Sequence, residues 1–253
     1  MTLYSSDKSS NNLYIDQQWA LFVGHLNDNV LHRHYALQIN IIANGDIKIT
    51  DQKKQQKAPI RSFISSNIPH QLFCNGITLI ILINPLSDLG HQLFKKYSRN
   101  EIVDLGEDFS HLSHFFIDFL QGNLNFNQLT ENVKGYLEQF MCNCKSENHF
   151  SDERIYRAIQ YLDQHFDRII PLEEISKFCH LSQTRFLHLF KEKTNLNFRR
   201  YQLWNKLIKS VPYVKEHTIT ETAHEFGFTD SSHYTRTFKE TFGFSPKILK
   251  LLK

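Results

Sequence analysis

Hydrophobic positions along the chain change period between its two halves. From about Leu13 to Leu86 they come in short β-rich runs: Ala20 to Val23, Leu37 to Ile42, Ile47 to Thr50, Ser62 to Ile64 and Ile77 to Ile83. Turn residues such as Asn44-Gly45-Asp46 and Asn75-Gly76 punctuate them. Many short strands at close spacing predict a small β-barrel or sandwich. From about Leu86 to Cys144 the spacing becomes helical. Leu112, Phe115, Phe116, Phe119 and Leu120 give one broad apolar face, and Leu129, Val133, Tyr136, Leu137 and Phe140 give another. Ser146 to Ser151 reads as a polar linker. The expected architecture is α+β and multidomain: a β domain at 13–86, a helical connector at 87–145 and an all-α domain at 151–250.

The all-α third repeats itself. Phe190-Lys191-Glu192 returns forty-eight residues later as Phe238-Lys239-Glu240, and the same offset pairs Phe178 with Phe226 and Glu173 with Glu221. A repeated supersecondary unit predicts two similar helical modules. In the second, Thr220 to Phe226 forms a short helix stopped by Gly227, and Asp230 caps the next helix. Tyr234, Thr237 and Phe238 then face inward, leaving Ser232, Arg236 and Lys239 outside. In the first, Leu172 to Phe178 leads through a turn to the cap Ser182. Phe186, Leu189 and Phe190 point in, and Thr184, His188 and Lys191 point out. Two helices, a short turn and a polar, basic outer face on the second match the helix-turn-helix of major-groove readers.

Gly227 to Pro246 fits the pattern G-F-x-[DS]-x-S-x-[FY]-x-R-x-F-K-x-x-x-G-x-[ST]-P at every defined position. Residues from about Ile155 to Lys250 thus resemble the two-module DNA-binding domain of AraC/XylS-type transcription regulators. The first module is looser, with Asn195 where Gly is usual after the recognition helix. Tyr201 to Lys215 resembles that family's linker helix, with Lys206 for Arg and Ser210 for Ala, and Leu249-Lys250 stands in place of a Tyr-Arg pair. The resemblance implies DNA contacts from Gln183, Thr184, Arg185, His188 and Lys191 in the first module. In the second it implies them from Ser231, Ser232, His233, Thr235, Arg236 and Lys239. Charge agrees: from Ser151 onward the chain carries 17 Lys and Arg against 12 Asp and Glu, whereas the first 150 residues are net −2.

At 253 residues the chain allows two cores, and 21 Phe with 10 Tyr argue against disorder beyond the ends. Met1 to Asn12 lacks a signal-peptide layout, and the longest apolar run, Ile77 to Ile83, is too short to span a membrane. Four cysteines suggest reduced thiols. The expected location is cytoplasmic, with no membrane partner.

One constellation in the β domain carries chemistry. Gly24, His32-Arg33-His34, Gln38 and Gly45 are spaced as in the first cupin motif, with Gln38 where Glu is usual, and Pro69-His70 with Asn75-Gly76 resembles the second. The resemblance implies a cupin-like sensor barrel. Two readings stand. If His32 and His34 share a strand face, they could converge with His70 and Gln38 on a divalent transition metal, to which Gln is a weaker ligand than a carboxylate. Alternatively, the same residues are hydrogen-bonded polar lining for an organic effector, as in regulatory cupins that keep the barrel and lose the metal. Cys142-x-Cys144 with His149 is a poorer metal candidate, lacking a fourth ligand. No phosphate loop, nucleophile triad or paired-acid motif stands out.

The function expected is a non-enzymatic, sequence-specific transcription regulator of the AraC/XylS type, sensing a small-molecule effector through its cupin-like domain. Its partners would be a double-stranded DNA operator, a second copy in a homodimer, and RNA polymerase if it activates. The alternatives are a metal-dependent cupin enzyme, or an interaction module, fused to a DNA-binding tail.

Overall fold

The computed structural model describes residues 11–16, 18–25, 30–43, 45–53, 56–57, 59–97, 102–142 and 152–251. Strands β1 (Asn12–Ile15), β2 (Trp19–Gly24), β3 (Leu37–Ile42), β4 (Ile47–Asp51), β5 (Gln56–Lys57), β6 (Arg61–Ile64), β7 (His70–Cys74) and β8 (Thr78–Ile83) come first. Helix α1 (Asp88–Tyr97), strand β9 (Ile102–Asp104), α2 (Ser110–Gln121) and α3 (Phe126–Glu138) follow. The six-stranded sheet has the order β1-β2-β8-β3-β6-β9, and the three-stranded sheet the order β5-β4-β7.

Strand β3 shows why the layers stack as they do. Leu-Gln-Ile-Asn-Ile-Ile is buried at all six positions, so both faces of the large sheet are covered. On one face Leu37, Ile39 and Ile41 join Leu21, Val23, Phe63, Leu79 and Ile81 against Leu93 of α1, Phe116 of α2 and Val133 of α3. On the other, Ile42, Ile64, Ile80 and Ile102 meet Ile47, Ile49, Leu72 and Cys74 of the small sheet. Here the alternation also brings in Gln38, Asn40 and Ser62, so part of the sandwich interior is polar.

Helices α2 and α3 turn their apolar faces to this sheet. Leu112, Phe116, Leu129, Val133 and Leu137 are buried, and Phe115, Phe119, Tyr136 and Phe140 pack beside them. The apolar faces of α2 and α3 are therefore largely covered within the chain, leaving Ile117 and Met141 exposed. Strand β9 lies inside the stretch whose spacing reads as helical. Three residues are too few to give a period, and it pairs with β6 at the sheet edge.

The C-terminal domain comprises α4 (Glu153–Gln164), α5 (Leu172–Phe178), α6 (Gln183–Thr194), α7 (Phe198–Glu216), α8 (Ile219–Glu225), α9 (Ser231–Phe242) and a final 3-10 helix, Pro246–Leu251. Its caps are those the sequence spells. The Ser182 side chain accepts from Arg185 N at 3.3 Å and that of Asp230 from His233 N at 2.7 Å. Thr218 and Glu221 form a reciprocal capping box. Asn195 ends α6 at φ +56°, the left-handed conformation of the glycine it replaces. At Gly227, φ is +64° and a Cβ would lie 2.7 Å from Asp167 O, so only glycine fits the turn between α8 and α9. Among the described residues no helix is long and apolar enough to cross a membrane.

Candidate nucleic-acid interface

Helices α5 and α6 form one pair and α8 and α9 a second, and α7 runs between them. Phe186, Leu189 and Phe190 hold α6 to the core, and Tyr234 and Phe238 hold α9. Gln183, Thr184, Arg185, His188 and Lys191 are all exposed on the far side of α6. On α9, Ser232 and Arg236 are exposed, while Ser231, His233, Thr235 and Lys239 are half-buried. No ion pair within 4.0 Å ties Arg236 to Glu240 among the described residues, so the guanidinium is not committed to its own helix.

Two buried polar residues of α7 fix the second pair. Lys206 donates from Nζ to Gly227 O at 3.3 Å and lies 6.0 Å over the Phe228 ring; burial lowers its pKa, opposed by Asp167. Ser210 Oγ shares a 2.9 Å hydrogen bond with Tyr234 OH. Both positions depart from the family pattern, and both act as ties between α7 and the α8–α9 unit. On the other side of α7, Asn205 Nδ2 donates to Leu162 O of α4 at 2.9 Å.

The β domain also grips α7. Tyr35 is 3% exposed and packs edge-to-face on Tyr201 and Trp204, at ring-centroid distances of 5.8 and 6.2 Å. Tyr35 and Ala36 belong to the hydrophobic core of the C-terminal domain. Val30 N donates to Gly243 O, just past α9, at 3.1 Å. Phe22 and Leu82 of the large sheet meet Phe244 of the C-terminal domain, which closes the part of the sandwich the small sheet leaves open.

Beside this seam opens a cleft of about 770 Å³. Arg33 from the β domain, Arg199 and Arg200 from α7, and Arg236 from α9 line it, with Tyr35 and Trp204 as apolar wall. Arg200 has a lowered pKa, from burial first and then from the Arg33 charge, with Glu240 opposing. Sequence reading missed this arginine cluster, because Arg33 lies 166 residues before Arg199 and only Arg199-Arg200 are adjacent.

The histidines do meet, though not by the expected route. Residues 32–36 are not in a strand; His32 makes only a single antiparallel bridge to His70 of β7, with both N···O distances 2.9 Å. The chain crosses from the small sheet to the large one here, and Tyr35 is drawn out into the other domain. His32, His34 and His70 are nonetheless buried together, with ligand atoms all within 4.8 Å of one another. Each Nδ1 faces a backbone carbonyl: Val30 O at 2.7 Å, Ala36 O at 3.0 Å and Ile68 O at 2.8 Å. His34 Nε2 lies 2.7 Å from Gln38 Oε1. Burial lowers all three pKa values, His32 to about 3 with the His34 charge contributing. Of the other proposed cluster, Cys142 is half-buried, and Cys144 and His149 lie outside the described residues.

A family model described as a helix-turn-helix domain matches residues 175–250. The HTH-type transcriptional activator RhaS of Escherichia fergusonii is 28% identical over 163 residues, 63% of this chain and 53% of that protein. RhaS of Salmonella schwarzengrund is 28% identical over 102 residues, 40% of this chain and 37% of that protein. The chain thus spans about a third to a half of the length of these curated relatives. Apo ToxT from Vibrio cholerae, a single-residue variant, superimposes with a TM-score of 0.63 over 94% of this chain and 99% of its own, at 15% identity. Wild-type ToxT bound to an unsaturated fatty acid gives 0.58, covering 95% and 98% at 15% identity. These ToxT likenesses establish a shared two-domain fold. A helix-turn-helix domain therefore occupies residues 175–250.

Truncating Tyr35 to Ala should loosen the seam by about 3–5 kcal/mol, the scale of buried aromatic deletions. In a Trp19→Phe background, Trp204 emission should move to longer wavelength while far-UV circular dichroism stays native. Unchanged emission would show that the domains are held elsewhere.

Proposed function

We propose that the protein is a sequence-specific DNA-binding transcription regulator whose N-terminal domain, residues 13–86 with the connector 87–145, senses an effector for the reader at 151–250. The observation that carries this reading is the pair of capped helix-turn-helix units on one rod. Helix α7 has 19 residues and so is about 28 Å long, comparable to the roughly 34 Å that separate successive major grooves on one DNA face. The exposed faces of α6 and α9 supply the reading residues. Arg236 suits a bidentate contact to guanine O6 and N7, worth about 1–3 kcal/mol of discrimination. Lys191 and Lys239 suit phosphates, which give salt-dependent affinity without sequence preference. Thr184 and His188 are smaller or less charged, so the first unit discriminates less.

The effector site best supported is the arginine-lined cleft. Arg33, Arg199 and Arg200 favour an anion, with Glu240 the one carboxylate among the lining residues, and the Tyr35 and Trp204 rings receive an apolar body. The ToxT structures of this fold include one with an unsaturated fatty acid and one with a naphthalenyl butenoic acid, both organic acids. An organic acid here would touch both domains, and His32 and His34 line the same wall. The proposal includes a homodimer through the outer face of α2 and α3, and RNA polymerase contact if transcription is activated. Light scattering that finds only monomer at high micromolar concentration, with and without DNA, would remove the dimer.

In binding-site selection, Arg236→Ala should flatten the preference at one base step, while Lys191→Ala should weaken all sequences alike and lower the salt slope by about 1. An unchanged preferred motif with Arg236→Ala would place base reading elsewhere. In calorimetry, an unsaturated fatty acid should bind one site per chain, about tenfold or more weakly in Arg200→Ala, because a charge-assisted hydrogen bond is lost. Equal affinity in the two proteins would exclude the cleft.

A further inference from the structure

Two clefts open along the seam between the domains, and their linings carry opposite charge. Trp204 of α7 is the one residue that lines both. The second cleft, of about 630 Å³, has the size of a small-molecule site. Its apolar lining comes from both domains: Trp19 of β2 on one side, Phe166 beyond α4 and Trp204 of α7 on the other. Two carboxylates, Asp16 before β2 and Asp163 on α4, share this lining with a single cation, Lys209.

Neither carboxylate is neutralised in place. Asp16 commits its oxygens to its own turn, accepting from Gln18 N at 2.7 Å, Trp19 N at 2.9 Å and Tyr14 OH at 3.0 Å. Among the described residues no cation lies within 4.0 Å of it. Asp163 has Lys209 Nζ at 3.9 Å, too far for a hydrogen bond, and that ammonium sits 5.0 Å over the Phe166 ring. Burial raises the Asp163 pKa, opposed by Lys209 and by a hydrogen bond with Asn205, so its present partners do not offset its desolvation. A third acceptor points the same way. Gln18 lines the cleft, and its Oε1 is buried with no hydrogen-bond partner among the described residues. Turning that amide toward a donor in the cleft breaks no bond of its oxygen.

We propose that this cleft binds an organic ammonium ion with an aromatic body, an arylalkylamine, its charge paired with Asp163 and its ring seated against Trp19, Phe166 and Trp204. An ammonium brings hydrogen-bond donors to a lining whose acceptors lack them, and charge-assisted bonds to a carboxylate are the strong ones. Aromatic faces also attract a cation, as the Lys209–Phe166 contact shows. An organic anion would meet two carboxylates and one lysine here, whereas the arginine cleft offers it the reverse balance. The two clefts thus sort ligands by sign across one tryptophan. This binding is independent of the DNA-reading proposal and of the acid site.

Calorimetry of the full chain with naphthylethylamine, beside the neutral naphthylethanol, tests the assignment. One amine should bind per chain, about tenfold or more tighter than the alcohol. Asp163→Asn should weaken the amine by about tenfold and leave the affinity for the alcohol unchanged, which a merely structural role would not do. Lys209→Met, which removes the competing ammonium, should tighten the amine, and it keeps the test decisive if Asp163→Asn fails to fold. No binding at millimolar amine, equal affinity for the alcohol, undiminished affinity in a folded Asp163→Asn protein, or no gain in Lys209→Met would each overturn the site.

Discussion

The architecture depends on one aromatic side chain passing from one domain into the core of the other. Tyr35 leaves the β domain two residues before β3 and lodges against Tyr201 and Trp204 of α7. Edge-to-face aromatic pairs contribute about 0.5–1.5 kcal/mol each beyond area burial. Opposing this, the Tyr35 hydroxyl is buried with no hydrogen-bond partner among the described residues, a cost of about 1–3 kcal/mol. The seam is therefore held by shape and apolar contact and weakened by one polar atom. Such a balance suits an interface whose strength is to be altered by what binds near it.

Helix α7 makes that alteration consequential. It is the rod on which both helix pairs are mounted, with Lys206 and Ser210 fastening the second, Asn205 fastening α4, and Tyr201 packing on Phe190 of α6. Its N-terminal arginines form one wall of the cleft, and Arg236 of α9 forms another. The polar part of the sandwich opens toward the same place through His32 and His34. On the proposed reading, an anion bound there would act on the residues that hold α7, and through α7 on both outer faces.

What the sequence reveals of this depends on how local the cause is. The caps Ser182 and Asp230, the left-handed Asn195 and the glycine turn at 227 are decided within a few residues, so each is legible directly. Strand β3 is legible as a run of apolar and polar residues; that its polar members also lie inside is not, because this needs knowledge of the second sheet. Strand β7 escapes the pattern because His-Gln-Leu-Phe-Cys alternates weakly and exposes Phe73. The histidines converge as their spacing suggests, but through a bridge and a crossing rather than a strand face. Tyr35, Lys206 and the arginine wall are invisible in one dimension, since each matters through a partner far along the chain. The sequence shows Lys206 only as a stand-in for Arg in the linker helix, and it is 3% exposed.

The central claim is that two reading helices held on one rod meet DNA as a unit. Hydroxyl-radical footprinting of the full chain on its selected site tests it most directly. The account predicts protection spanning about two helical turns on one face, with two protected grooves about 10 base pairs apart. Protection confined to about five base pairs, from a single helix pair, would contradict it.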